Sequence, residues 1–367
     1  MQHSAQKPHP RISVAASRAP RHWRFMKKSE HYPNRDFFLL HCLKRGSYMR
    51  HRLHQNAHAV PLAMNPEDHA HGQYPGRLQH VQRLFGDRWY GRSDDKLKRS
   101  KYIFPIDREE LQRLDIFHKF FLTARGGALF SSPLDTATDL RILDLGTGTG
   151  IWSIDIAEAL PGASVLGVDL NMIQPERIPA NMEPPMKFDI ESDWKPMERN
   201  WDLIHVRTLL GAVRCWEDMY RKIHRHLKPN VGYLEQVEID WEPRFDGGNI
   251  PYKCALIDWT DKLLRAMDLY GRSMRVEPER TRRQLRTAGF SDIHECSIRV
   301  GFTPWSEDRH ERDVAFWFGA GFSHAIKALS YGPMSLSLTM SIRDIDLLCE
   351  AVLDELRTAR YKAYCRM

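Results

Sequence analysis

Three glycines alternate with threonines at residues 146–150, and an acid, Asp144, stands two residues ahead of them. Residues 141–150 read Arg-Ile-Leu-Asp-Leu-Gly-Thr-Gly-Thr-Gly. Ile142, Leu143 and Leu145 make a short buried strand, and Gly146, Gly148 and Gly150 make the turn after it. A helix over 151–160 follows, stopped by Pro161-Gly162. Strand, glycine turn and helix open a doubly wound sheet; the glycines let backbone approach a ligand, and the helix N-terminus offers free N–H groups. A dinucleotide fingerprint would need a third glycine at 151, where Ile stands, and no G-K-[ST] phosphate loop occurs. Asp144 suits a cationic ligand tail and repels a pyrophosphate. S-adenosylmethionine (SAM), which carries an ammonium and a sulfonium, meets that charge logic.

The acids further on agree. Residues 164–168 form a second strand that leads to Asp169, 19 residues after Gly150. An acid at that place accepts hydrogen bonds from both ribose hydroxyls. The competing reading makes Asp144 and Asp169 plain helix caps. A third strand over 186–188 ends at Asp189, placed to face an adenine amino group while the Ile190 N–H reads the ring; a turn residue is the alternative. The fourth strand, 201–206, brings His205 and Arg207 near the methyl acceptor, although His205 also reads as a hydrogen-bonded core histidine. The fifth, 233–239, carries Glu235 and Glu238, with Asp240 just beyond. Methyl transfer from a sulfonium needs mostly alignment, so a missing catalytic dyad does not count against it, and no catalytic residue is named.

These residues need elements to hold them. Asp107 and Glu110 have capping-box spacing at the start of a helix on which Leu111, Leu114, Phe117, Phe121 and Ala124 repeat, and Gly126-Gly127 stops it. After 240 the pattern predicts a helix over 252–269, a sixth strand over 293–300 and helices over 308–329 and 342–360. These helices form a lid over the carboxyl ends of the strands. Phe316, Trp317, Phe318 and Phe322 cluster there, as a roof for the site or as ordinary core packing.

The chain has 367 residues, 42% hydrophobic and 28% charged, enough for one large domain or two ordinary ones and too apolar for disorder throughout. No run of 18 apolar residues exists, so no membrane span is expected, and no apolar leader opens the chain. Six cysteines without a CxxC pair read as reduced thiols rather than a zinc site, and no metal is expected. Residues 1–100 hold 19 Lys and Arg against 7 Asp and Glu, so the net charge of +7 belongs to the front end; the rest is mildly acidic and gives no reason to expect DNA contact. Residues 1–95 read as a basic tail with many histidines and prolines, disordered, and 96–367 as the folded domain. His51, His54 and His58 have helical metal-ligand spacing but no carboxylate or Cys beside them. The acid-free first 29 residues have a weak transit-peptide composition, and residues 96–101 resemble a nuclear import signal or a solvated linker.

Residues 113–121 (Arg-Leu-Asp-Ile-Phe-His-Lys-Phe-Phe), 143–152, 167–170, 173–175, 201–205 and 235–244 (Glu-Gln-Val-Glu-Ile-Asp-Trp-Glu-Pro-Arg) together resemble the LaeA-like methyltransferases of filamentous fungi over roughly residues 100–365. The resemblance implies a class I methyltransferase (Rossmann-like), a doubly wound α/β sheet with C-terminal helical lid insertions. It implies SAM as cofactor and a nuclear regulator of secondary metabolism, development and sporulation that works with velvet-family proteins. A SAM-binding regulatory subunit with little turnover is the alternative role, and cytoplasm the alternative location. The family's loop often reads Gly-Cys-Gly; Thr147 and Thr149 here change little, because backbone atoms do the binding. The cofactor set expected is Asp144, Gly146, Thr147, Gly148, Gly150, Asp169, Asp189, Ile190 and His205. In such relatives a final antiparallel strand is buried in the sheet; here Tyr364-Cys365-Arg366 would begin it just before the last residue, Met367, so the sheet is expected to lack part of that strand or the gene model to be truncated.

Overall fold

A computed structural model describes residues 11–14, 81–85, 88–91 and 102–367 apart from 196, 249 and 359. Its strands are β1 (Arg11–Val14), β2 (Val81–Phe85), β3 (Arg88–Gly91), β4 (Arg141–Leu145), β5 (Ser164–Asp169), β6 (Met186–Lys187), β7 (Leu203–Arg207), β8 (Tyr233–Val237), β9 (Asp240–Phe245), β10 (Ser291–His294), β11 (Arg299–Gly301) and β12 (Ala363–Arg366). Its helices are α1 (Arg108–Ala124), α2 (Ile151–Ala159), α3 (Trp216–His226), α4 (Ala255–Tyr270), α5 (Pro278–Ala288), α6 (Arg309–Leu338) and α7 (Ile342–Arg357).

β4 and β7 are short apolar runs covered on both faces, as central strands of a parallel sheet must be. They lie inside a seven-stranded sheet of order β10-β1-β8-β7-β4-β5-β6, parallel throughout. One core lies under α2, with Trp152 and Ile156 against Ile142 and Val165. Another lies under α3 and α5, with Tyr220, Ile223 and Leu285 against Ile204 and Leu234. The third and largest core joins α1, α4, α6 and α7 to a three-stranded antiparallel sheet, β11-β12-β9.

α1 begins as its sequence predicts: Asp107 accepts the Glu110 N–H at 2.9 Å. The reciprocal half of the capping box is absent, because the Glu110 carboxylate turns to Arg113 at 2.5 and 2.8 Å. The close packing of α1 on α6 needs Gly321, where a Cβ would come within 2.6 Å of the Phe117 ring.

The structure departs from the sequence reading in four places. The fifth strand does not run through 239: the chain leaves the main sheet at Glu238 and starts β9 in the second sheet. The sixth splits the same way into β10 and β11. Local alternation marks a strand but does not say which of two sheets receives it. α6 runs through Pro333 to Leu338, beyond the break expected near 329, because a helix bearing Pro can continue where its neighbours hold it. The segment 364–366 does form an antiparallel strand, but between β11 and β9; in the main sheet β1 lies between β8 and β10, with Ile12 beside Leu234 and Ile293.

β1 and the hairpin β2–β3 are the described elements within residues 1–95. Arg88 is 2% exposed, and it donates from Nε and Nη2 to the two carboxylate oxygens of Asp107, 2.7 Å each. The residue that caps α1 is thus also the anchor for a residue ahead of the expected boundary at 96. His51, His54, His58 and the basic segment 96–101 lie outside the described residues.

Candidate functional site

A cleft opens at the carboxyl ends of β4, β5, β7 and β8, and α1 forms its far wall. Gly146 and Gly148 hold φ of +67° and +57°, the left-handed region that side chains resist. At Gly146 a Cβ would also lie 2.5 Å from Leu209 Cδ2, so the backbone is bare there for steric reasons as well. Thr147 N donates to Val168 O at 3.0 Å, which pins the turn to β5. Gly150, left-handed as well, is the N-cap of α2.

Asp169 closes the turn from the other side. Its Oδ2 accepts the Gly148 N–H and its Oδ1 the Asn171 N–H, both at 2.9 Å. Burial pushes its carboxyl up to about 6 despite those bonds. Gln174 donates to Gly148 O at 2.6 Å, while its Oε1 is buried without a partner. Thr149 donates to Asp115 of α1 at 3.0 Å, which ties the turn to the far wall.

Asp144 lies at the base of the cleft. It accepts from His205 Nδ1 and from Ser153 Oγ, 2.8 Å each, and Thr147 Oγ1 stands 2.9 Å from that hydroxyl. Burial opposes its charge, but the His205 bond and its companions outweigh burial and hold the carboxyl below its ordinary range. Burial keeps His205 neutral. Its ring lies flat against Trp152, 3.6 Å between centroids and 6° between planes.

Residues 109–295 match the family model described as a methyltransferase domain. The chain is 43% identical over 282 residues to the secondary metabolism regulator laeA of Fusarium oxysporum f. sp. lycopersici, which spans 76% of this chain and 89% of that one. It is 44% identical over 279 residues to the secondary metabolism regulator LAE1 of Hypocrea atroviridis, 75% of this chain and 79% of that one. The chain belongs to this LaeA/LAE1 family of methyltransferase-domain proteins. Among solved structures, a Haemonchus contortus phosphoethanolamine N-methyltransferase in complex with SAM shares 16% identity at a TM-score of 0.37, over 70% of this chain and 50% of that one.

Of the nine residues expected to hold the family's cofactor, Asp144, Gly146, Thr147, Gly148 and Asp169 line the cleft. Gly150 stands behind the turn as a helix cap. His205 does not line the cleft; it belongs to the core, stacked on Trp152 and spent on Asp144. Asp189 and Ile190 do not line it either. The Asp189 carboxylate accepts the Glu191 N–H at 2.9 Å, and Ile190 O accepts Trp194 Nε1 at 2.8 Å, so both stabilise their own loop. The aromatic wall comes from Phe117, Phe121 and Trp241, not from 316–322. Phe318 and Phe322 are buried in the lid core, and Phe316 is 59% exposed.

The three acids near the fifth strand separate. Glu235 is structural: it holds Arg125 at 2.5 Å and the Ser131 and Ser132 N–H groups at 2.7 and 2.9 Å. Asp240 pairs with Arg244 at 2.6 Å. Glu238 lines the cleft and accepts the N–H groups of Leu209 and Leu210 at 3.1 and 3.2 Å, which fixes the loop after β7; burial pushes its carboxyl up to about 7. On α1 the residues Arg113, Leu114, Phe117, His118 and Phe121 face the cleft, and the sequence reading gave them no role in the site. A signal was present: Arg113 and His118 flank the apolar stripe of this helix. Among the described residues no group of His, Cys, Asp and Glu could hold a metal ion, and no helix is long and apolar enough to cross a membrane.

Proposed function

We propose that this chain binds SAM across the Gly146–Gly148 turn and transfers its methyl group to an acceptor enclosed between α1 and Trp241. The observation that carries the cofactor reading is the Asp169 carboxylate. It already accepts two backbone N–H groups and is still pushed up to about 6, so it has electrostatic room for hydroxyl donors such as those of a ribose. The rest of the donor set fits: a left-handed glycine cradle free of Cβ atoms and, at its base, an Asp144 held in the charged form.

Bound SAM supplies an electrophilic methyl group on a sulfonium. The chain's own residues supply alignment and exclude water. Asp144 sets a negative field beneath the turn. Phe117, Phe121 and Trp241 give the acceptor end an apolar wall. Glu238, with a carboxyl near 7, can take a proton at neutral pH from an acceptor that must lose one.

By resemblance we place this activity in the nucleus, as a regulator of secondary metabolism and development working with velvet-family proteins. The names of the relatives as secondary metabolism regulators support the regulatory role, and the basic segment 96–101 supports the location. Calorimetry with SAM, then incubation with radiolabelled SAM alone and with nuclear extract, tests the proposal. Label on this chain or on a partner is the expected result. Binding without transfer favours a SAM-binding regulatory subunit with little turnover, and absence of SAM binding overturns the cofactor reading. A fluorescent fusion found only outside the nucleus overturns the location.

A further inference from the structure

Arg207 ends β7 and lines the cleft. Its guanidinium carbon lies 4.8 Å from the centre of the Phe121 ring, and Nη1 donates to His118 Nδ1 at 3.2 Å. His118 Nε2 in turn stands 2.9 Å from Asp155 Oδ2. Burial lowers the pKa of His118, so its ring is neutral at pH 7. Nε2–H therefore donates to Asp155, and the Nδ1 lone pair is left to accept from Arg207. Arg207 is held in place by a ring face and a neutral histidine, neither of which cancels its charge.

The other arginines set into this domain differ. Arg88 holds Asp107 at 2.7 Å, Arg113 holds Glu110 at 2.5 Å, Arg125 holds Glu235 at 2.5 Å and Arg272 holds Glu191 at 2.7 Å. Among the described residues Arg207 has no carboxylate in ion-pair range; Asp144 and Asp155 act on it only at longer distance. Burial lowers its pKa to about 10, which still leaves a full cation at neutral pH. A half-buried cation without a counter-ion is costly, and a planar guanidinium matches a carboxylate with two parallel N–H bonds.

We propose that Arg207 is a carboxylate receptor, which forks the carboxylate of a ligand at the α1 side of the cleft. Two sources share this chemistry: the methionyl group of SAM and a carboxylate on the methyl acceptor. Register favours the first. β7 pairs with β4 so that Val206 lies beside Leu145, which puts Arg207 level with Gly146, the first residue of the turn. That source rests on the SAM reading above.

The test is calorimetry on the full chain with SAM and with decarboxylated SAM, which keeps the adenosine, sulfonium and ammonium but lacks the carboxylate. Arg207→Gln is expected to weaken SAM by about 100-fold and to leave decarboxylated SAM within about threefold of wild type. Arg207→Lys keeps the charge without the fork and should recover SAM to within about tenfold. If the carboxylate belongs to the acceptor, both sulfonium compounds bind the variant normally. In that case wild type saturated with S-adenosylhomocysteine binds N-acetylglycine but not N-acetylglycinamide, and Arg207→Gln binds neither. Equal loss of both sulfonium compounds, or no change in any titration, overturns the proposal. Wild type that bound neither sulfonium compound would defeat the SAM reading instead, and N-acetylglycine against its amide, on the ligand-free chain, would still decide the role of Arg207.

Discussion

The two sides of the cleft follow different rules. On the sheet side, polar atoms have assigned partners: Asp144 takes His205 and Ser153, Thr147 N takes Val168 O, and Asp169 takes Gly148 N and Asn171 N. On the lid side, Phe120, Trp259, Phe318 and Phe322 fill a core by volume and shape. One of its few internal polar contacts is Trp259 Nε1 to Ser330 Oγ at 2.8 Å. The sheet side is specified atom by atom and the lid by packing. Substitutions should therefore separate: changes in the lid core cost stability, and changes at the turn cost ligand.

The largest effect should come from the lid. Trp259 is fully buried, so Trp259→Ala should destabilise the fold by about 3–5 kcal/mol, read by thermal or denaturant melting. A melt equal to wild type would show that the lid is not a packed core. A smaller effect should follow from His205→Phe, which keeps a ring on Trp152 but deprives a buried carboxylate of a donor. Denaturant melts should place its cost at about 1–3 kcal/mol, and a neutral result would remove the Asp144 pair from the account.

Asp169 gives the comparison a pH axis. Its carboxyl is raised in the ligand-free fold, so that fold binds a proton more tightly than the unfolded chain does. Its share of stability is present at low pH and is lost as pH rises from the ordinary aspartate range to about 6. SAM affinity should move the other way, because ribose hydroxyls need the ionised form. It should be flat above pH about 6 and fall by at most about tenfold per unit below it, measured by calorimetry across that range. Affinity that rises on acidification would reverse the assignment. The smallest effect belongs to Phe316, which the sequence groups with a roof and the structure leaves exposed. Phe316→Ser should change melting stability by no more than about 0.5 kcal/mol and leave SAM affinity alone.

The same division decides what could be read in the sequence. The turn, Asp144 and Asp169 were legible because positive φ demands glycine and because each acid sits at a strand end with fixed spacing. α1 was legible from Asp107 and its apolar repeat. α5 was not foreseen, although Pro278 in its first turn and Gly289 at its C-cap marked its ends. The transfer of the chain between sheets at Glu238 was not legible, because neighbours distant in sequence decide which sheet a strand joins. His205 lies mid-strand, where a histidine meets the expected position whether it faces the cleft or the core, and Asp189 follows β6, where an acid meets it whether it faces the cleft or its own loop. The pairing of Arg88 with Asp107, 19 residues apart, was hidden inside a segment whose composition looks unstructured.

The most direct test of the central claim is calorimetry of SAM on wild type and Asp169→Ala. Removing the acceptor of the ribose hydroxyls should weaken SAM by about 2–4 kcal/mol, on the order of 30- to 1000-fold. Thermal melts of both proteins control for the fold, because the variant also loses the acceptor of the Gly148 and Asn171 N–H groups. Normal SAM binding by Asp169→Ala would contradict the account, as would a wild type that bound NAD and ignored SAM.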